Sequence, residues 1–131
     1  MTQNYNPNDF PFREQCLAIV EIAFNIHKTL GGGLADSIYK NAFETELKAK
    51  GIEYSKDMRY AVNFNGMMLD HKFHPDFLVY GAIIVEIKSV PFIITENDLN
   101  IFNQLVVTRP KIGLIINFHK ELMQFKKLVI T

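Results

Sequence analysis

Apolar residues in the first part of the chain recur at helical spacing. From Phe12 to Leu30, one side carries Leu17, Val20, Phe24 and then His27 or Leu30, with Ile19, Ala23 and Ile26 beside them. Arg13, Glu14, Glu21, Asn25 and Lys28 take the other side. That period predicts an amphipathic helix. The triple glycine Gly31 to Gly33 ends it, because glycine adopts the left-handed backbone of a C-cap without strain. A second helix is predicted from about Ala35 to Lys50, with Ile38, Ala42, Phe43, Leu47 and Ala49 on its apolar side and Gly51 as its stop.

After Gly51 the period changes to two. Tyr54, Met58, Tyr60, Val62 and Phe64 alternate with polar residues and predict a strand. Asn65-Gly66 is a strong hairpin turn, and a second strand resumes near Met67 and continues through Phe73 toward Val79. Tyr80-Gly81 makes the next turn. Ala82 to Val90, rich in Ile and Val and bounded by Pro91, reads as a central strand covered on both faces. Thr95, with Asp98 three positions on, caps a third helix predicted over 96–107. Ile112 to Phe118 reads as another buried strand, and Gln124 to Ile130 as an edge strand. The predicted order is therefore helix, helix, three strands, helix, strand, strand. It describes an α/β domain with a mixed sheet, in which an antiparallel meander is joined by a right-handed crossover, Ile83 to Phe118, to a parallel strand.

With 131 residues the chain suits one domain. Residues 1–11, heavy in asparagine and proline, are expected to form a loose arm, and 12–131 a single domain. A hydrophobic fraction of 48% and a charged fraction of 21% argue against intrinsic disorder. The 14 basic and 14 acidic residues cancel, so the basic excess common in nucleic-acid binders is missing and only a local patch could do that work. Cys16 is the only cysteine, which rules out an internal disulfide and reads as a small buried hydrophobe. No run approaches the ~18 apolar residues of a membrane span, and the polar N-terminal stretch has no basic n-region. The expectation is a cytoplasmic protein with no membrane partner; monomer and homodimer both stay open.

The pointed chemistry lies in HKFHPDFLVYGAIIVEIKSV, residues 71–90. If the turn centres on Gly81, Asp76 pairs with Glu86. Side chains alternate along a strand, so Glu86 and Lys88 share a face, and directly paired residues share one too. Asp76, Glu86 and Lys88 should therefore converge, with Phe77, Val79, Val85 and Ile87 turned into a core. Two carboxylates opposed in this way lie ~5 Å apart at Cβ and repel. Either Lys88 alone answers that repulsion, as an ion pair on a half-buried strand, or a hard divalent cation does. Mg²⁺ takes oxygen ligands from one or two carboxylates, waters and a substrate phosphate. The lysine would then serve an attacking water.

Pro75-Asp76 followed by Glu86-Ile87-Lys88 resembles the signature of the PD-(D/E)XK nuclease superfamily, whose core order matches the one above. The run IHKTLGGGLADSIYKNAFETEL further resembles the motif region of the GxxExxY family, a small branch of that superfamily. Gly33, Asp36 and Tyr39 hold its three named positions, and Gln104 and Gly113 to Phe118 also resemble it. The family glutamate is Asp36 here, the proline of the glycine turn is Gly32, and a tyrosine that some relatives carry is Thr108. The resemblance spans about residues 15–131. It implies a restriction-endonuclease-like core, a mixed β-sheet flanked by helices, and Mg²⁺- or Mn²⁺-dependent hydrolysis of phosphodiester bonds in DNA or RNA. By the same resemblance Asp76, Glu86 and the Ile87 carbonyl ligate the metal, Asp36 adds a carboxylate from the helix, Lys88 serves the water, and Gln104 holds a water or phosphate.

The remaining candidates have plainer readings. His27 suits a role at the end of the first helix, Tyr39 suits packing with its hydroxyl satisfied, and His119 suits the surface. His74, two before Asp76, is a candidate for touching metal or phosphate. Lys40, Lys48, Lys50 and Lys56, like Lys111, Lys120, Lys126 and Lys127, read as solvated surface. Two functions compete: a metal-dependent nuclease, and a catalytically inactive nuclease-like domain that binds a protein or nucleic acid on the same scaffold. Intact Asp76, Glu86 and Lys88 favour the first; neutral charge and Asp36 favour the second.

Overall fold

A computed structural model describes residues 12–91 and 112–129. Helix α1 spans Arg13–Leu30 and α2 spans Asp36–Ala49. The strands are β1 (Tyr54–Lys56), β2 (Tyr60–Phe64), β3 (Met67–Phe73), β4 (Phe77–Val79), β5 (Ile83–Lys88), β6 (Ile112–Asn117) and β7 (Gln124–Val129). Among the described residues, one sheet runs β1-β4-β5-β6-β7 and a separate two-stranded ribbon pairs β2 with β3. Only β5 and β6 are parallel; the other pairings are antiparallel. The third predicted helix, Gln104 and the connection between β5 and β6 lie outside the described residues, as does the N-terminal arm.

Two long strands predicted from the sequence are each broken in two. The first, Tyr54 to Phe64, is interrupted at Asp57, whose φ of 58° is left-handed and leaves the ladder. The second, Met67 to Val79, is interrupted before β4, where Pro75 has no N–H to give to a ladder. The consequence is that β2 and β3 leave the main sheet as a hairpin, while β1 and β4 stay in it. The hairpin turns at Asn65-Gly66 with both φ positive, 50° and 82°, as a primed two-residue turn requires.

Both helices pack with one face of the sheet in the main core. Cys16, Ile19, Ile22, Ala23 and Ile26 of α1 join Tyr39, Phe43 and Leu47 of α2 over Phe77, Val79, Val85, Ile87, Leu114 and Ile116. The buried stripe of α1 is centred on Ile19, Ala23 and Ile26; Leu17 and Phe24, expected on it, are half exposed at 53% and 50%. The opposite face of the sheet is apolar as well, with Ile84 and Ile115 fully covered beside Leu78 and Leu128. Strand β5 is therefore central and buried on both faces, as its unbroken apolar run predicts.

The α1–α2 turn is clamped to the end of β6. Gly32 lies so close to the 119–120 backbone that a Cβ there would sit 2.5 Å from the His119 carbonyl oxygen. The Tyr39 ring stacks on Phe118 at 4.4 Å, and its hydroxyl donates to the Gly31 carbonyl at 2.6 Å. His27 Nε2 bonds the Lys120 carbonyl oxygen at 2.7 Å. His27 and Tyr39 thus both close this turn, in line with the plainer readings of their sequence positions.

Candidate functional site

The β4–β5 hairpin fixes the register. Val79 pairs with Ile83, Leu78 with Ile84 and Phe77 with Val85; one further step of that register would set Asp76 opposite Glu86. Strand β4 stops at Phe77, but β5 continues to Lys88, paired on its other edge with β6 up to Asn117. Asp76 thus stands where one neighbour of β5 ends. Its carboxylate replaces the missing ladder partner: Oδ2 accepts the Ile87 N–H at 2.8 Å. Backbone N–H and C=O of one strand residue leave by the same edge, so the Ile87 carbonyl faces the same gap.

Glu86 is only 8% exposed, a carboxylate set into a strand of isoleucine and valine. A charge in such a place is costly unless it is compensated. Lys88 is half-buried two residues on, and its carbonyl accepts the Phe118 N–H at 2.9 Å. The alternate residues Phe77, Val79, Val85 and Ile87 belong to the helix-side core. The end of β5 is tied down further by Asn117, whose side chain bonds both the N–H and the carbonyl of Val90 at 3.0 Å. The Ser89 hydroxyl donates to the Leu34 carbonyl, anchoring the same segment to the α1–α2 turn.

A residue the sequence reading assigned to the solvated surface enters this cluster. Lys40 Nζ lies 3.2 Å from Asp76 Oδ1 and 3.7 Å from Asp36 Oδ2. Burial pulls the Lys40 pKa down, but the charge and hydrogen bond of Asp76, followed by the charges of Asp36 and Glu86, outweigh it and hold the ammonium above its ordinary value. Helical spacing contained the signal: Lys40 is four residues after Asp36 and four before Glu44, so three alternating charges share one face of α2.

Asp36 is the first residue of α2, as expected, with its side chain 55% exposed. It reaches the hairpin through Lys40. Among the described residues no group of three or more His, Cys, Asp or Glu side chains is close enough to hold a metal ion. The Lys40 ammonium lies between the Asp36 and Asp76 carboxylates. Gln104, the remaining candidate, is outside the described residues.

A cavity of about 370 Å³ opens beside Asp76, lined among others by Lys40, Glu44, Lys56, Arg59 and His74. His74 is therefore placed beside Asp76. Glu44 is held on one wall: Oε2 accepts the Tyr54 hydroxyl at 2.7 Å and Oε1 the Lys56 ammonium at 2.9 Å. These partners, the Lys56 hydrogen bond first and that of Tyr54 second, keep the Glu44 carboxyl below its usual pKa.

A family model for the PD-(D/E)XK nuclease superfamily matches residues 13–128. The chain belongs to that superfamily. Its helices and five-stranded mixed sheet are those of a restriction-endonuclease-like fold. Among solved structures, this PD-(D/E)XK domain is similar to SSO0001, with a TM-score of 0.55 at 14% identity over 90% of its own length. It spans 59% of the SSO0001 chain, and the likeness is one of fold. No curated protein gives a significant match. No helix among the described residues is long and apolar enough to cross a membrane.

Proposed function

We propose that this domain is a divalent-metal-dependent nuclease that hydrolyses phosphodiester bonds of DNA or RNA, and that it belongs to the GxxExxY branch of its superfamily. The observation that carries the reading is the position of Asp76. It stands one residue before the Phe77–Val85 pair, at the gap where β4 ends, and its carboxylate accepts the Ile87 N–H. Pro75-Asp76 and Glu86-Ile87-Lys88 spell the superfamily's motif at that spot.

The donor set fits a hard cation. Asp76, Glu86 and the Ile87 carbonyl would offer it oxygen donors only, and Mg²⁺ or Mn²⁺ completes such a set with waters. Asp76, Glu86 and the Ile87 carbonyl would hold the ion, which supplies a water of lowered pKa and neutralises charge on the phosphoryl oxygens. The chain's own residues do the rest. The Ile87 N–H fixes the Asp76 carboxylate in rotation. The apolar neighbours of Glu86 keep its environment poor in water, which strengthens every electrostatic contact there. Lys88, next along the same strand face, orients the attacking water. His74, with Lys56 and Arg59 on the cavity wall, offers donors to a neighbouring phosphate, and Gln104 is assigned the same role by resemblance.

The alternative, a non-catalytic module binding protein or nucleic acid, draws support from one observation: Lys40 already neutralises Asp76. Cleavage of single- and double-stranded DNA and RNA with Mn²⁺ or Mg²⁺, at low and stated salt, decides between them. Wild type should cleave. Glu86→Ala should lose metal binding and activity together, whereas Lys88→Ala should keep the metal and lose about 10²–10⁴-fold in rate, the range of a lost proton-handling group. Equal trace cleavage by all three proteins would leave the non-catalytic reading standing.

A further inference from the structure

We infer that Lys40 is a tethered counter-ion that occupies the acidic site in the metal-free protein and must swing aside for a divalent ion to load. The inference deepens the proposed function and rests on Asp76 and Glu86 as metal-binding groups. It follows from which oxygens are taken. Asp76 Oδ2 is committed to the Ile87 N–H at 2.8 Å. The other oxygen, Oδ1, carries the Lys40 ammonium at 3.2 Å. The same ammonium reaches Asp36 at 3.7 Å, so it lies between the helix carboxylate and the hairpin carboxylate. A metal ion drawing on Asp76 Oδ1 meets a positive charge already there, and the two repel at contact distance.

The side chain has somewhere to go. Lys40 is half-buried on α2 and lines the cavity, with Asp36 one turn before it and Glu44 one turn after it on the same helix face. Lysine pairs with a carboxylate four residues either way along a helix. Glu44 already holds Lys56 and Tyr54, so Asp36, 3.7 Å from the ammonium, is the carboxylate to which Lys40 can retreat. Between Asp36 and Asp76 the ammonium neutralises the site; drawn back to Asp36 alone it leaves Asp76 and Glu86 to the metal. The exchange lowers apparent metal affinity and makes loading depend on what else binds in that cavity.

The test is Mn²⁺ binding followed by calorimetry and by the electron paramagnetic resonance signal of free Mn²⁺, at one fixed pH, on wild type, Lys40→Met and Lys40→Arg. A fixed charge a few ångströms from a carboxylate changes its affinity for another cation by about tenfold to a thousandfold. Lys40→Met, similar in length and a good helix former, should tighten Mn²⁺ binding by about tenfold or more. Lys40→Arg should weaken it, because a guanidinium grips a carboxylate through two parallel hydrogen bonds. Should Lys40→Met fail to fold, Lys40→Arg carries the test alone. Mn²⁺ affinity that is unchanged or weaker in Lys40→Met, or unchanged in Lys40→Arg, overturns the counter-ion role while leaving the metal site intact. Absence of Mn²⁺ binding in every protein overturns both readings at once. Binding that appears only in Lys40→Met supports both.

Discussion

The Asp76 carboxylate accepts the Ile87 N–H at 2.8 Å, so a candidate catalytic group is also a piece of the sheet. At the gap left by β4 the side chain takes the place of a ladder partner for the Ile87 N–H. This double duty separates two substitutions that look alike. Asp76→Asn keeps a carbonyl oxygen for the Ile87 N–H and removes the charge. Its stability should stay within about 1 kcal/mol of wild type, while metal binding and cleavage are lost. Asp76→Ala removes the acceptor as well and should cost about 1–3 kcal/mol. Urea unfolding with a common m-value measures the difference; equal midpoints for the two variants would show that the hydrogen bond does not support the sheet.

The central part of this arrangement was legible in the sequence because strand alternation and a glycine turn are local rules. Counting outward from Gly81 gives the observed register of Phe77 with Val85, and the period of two puts Val85 and Ile87 in the core. What the sequence concealed was set by particular breaks and by a tertiary contact. Pro75 and Asp57 divide strands that hydropathy alone joins, and so release the β2–β3 ribbon from the sheet. Leu17 and Phe24 are as apolar as Ile19, so the direction of the α1 stripe depends on where the sheet lies. Lys40 looked like any surface lysine because its partner Asp76 is 36 residues distant along the chain.

The glycine turn gives a prediction independent of the chemistry. Gly32 has ordinary φ, so backbone strain does not demand glycine there; space does. A Cβ would stand 2.5 Å from the His119 carbonyl oxygen and 2.7 Å from that of Lys120, both backbone atoms that cannot turn away. Gly32→Ala must push the 119–120 segment off the α1–α2 turn and loosen Tyr39 from Phe118. The expected cost is about 1–3 kcal/mol, seen as a Tm several degrees lower. Gly51→Ala serves as the contrast: nothing lies near its Cβ, and only its φ of 67° resists the change. A Gly32→Ala protein as stable as wild type would show that the clamp has slack.

Cys16 should be chemically quiet. Burial raises its thiol pKa from 9.0 to about 11, against a smaller opposing effect of Lys127. Two pKa units leave about a hundredfold less thiolate at neutral pH than an unperturbed thiol has, and the thiolate is the reactive form. Reaction with a chromogenic disulfide at pH 7 should therefore be at least that much slower for native protein than for protein unfolded in guanidinium chloride. Rapid modification of the native protein would place the thiol in solvent, contrary to its position in the α1 core stripe.

Glu44 gives the cavity wall an acid dependence of its own. The Glu44 carboxyl is held below its ordinary value of 4.5 by hydrogen bonds from Lys56 and then Tyr54, partly opposed by desolvation. Because the folded-state pKa is the lower one, the unfolded chain takes up a proton first as pH falls. The stabilisation from Glu44 is complete above the unfolded value and disappears as pH drops through the folded one. Glu44→Gln removes the linkage, so its stability should fall less than that of wild type between about pH 5 and the lowered pKa. The Tyr54 hydroxyl gives a second readout. Desolvation first, and then the hydrogen bond to Glu44, push its pKa above 10.0. Removing the carboxylate should bring the phenol back down, visible as tyrosinate absorbance appearing at lower pH in Glu44→Gln. Superimposable acid limbs and tyrosinate titrations for the two proteins would mean that Glu44, Tyr54 and Lys56 do not form a coupled set in solution, and the wall that faces Lys40 would then lack its anchored carboxylate.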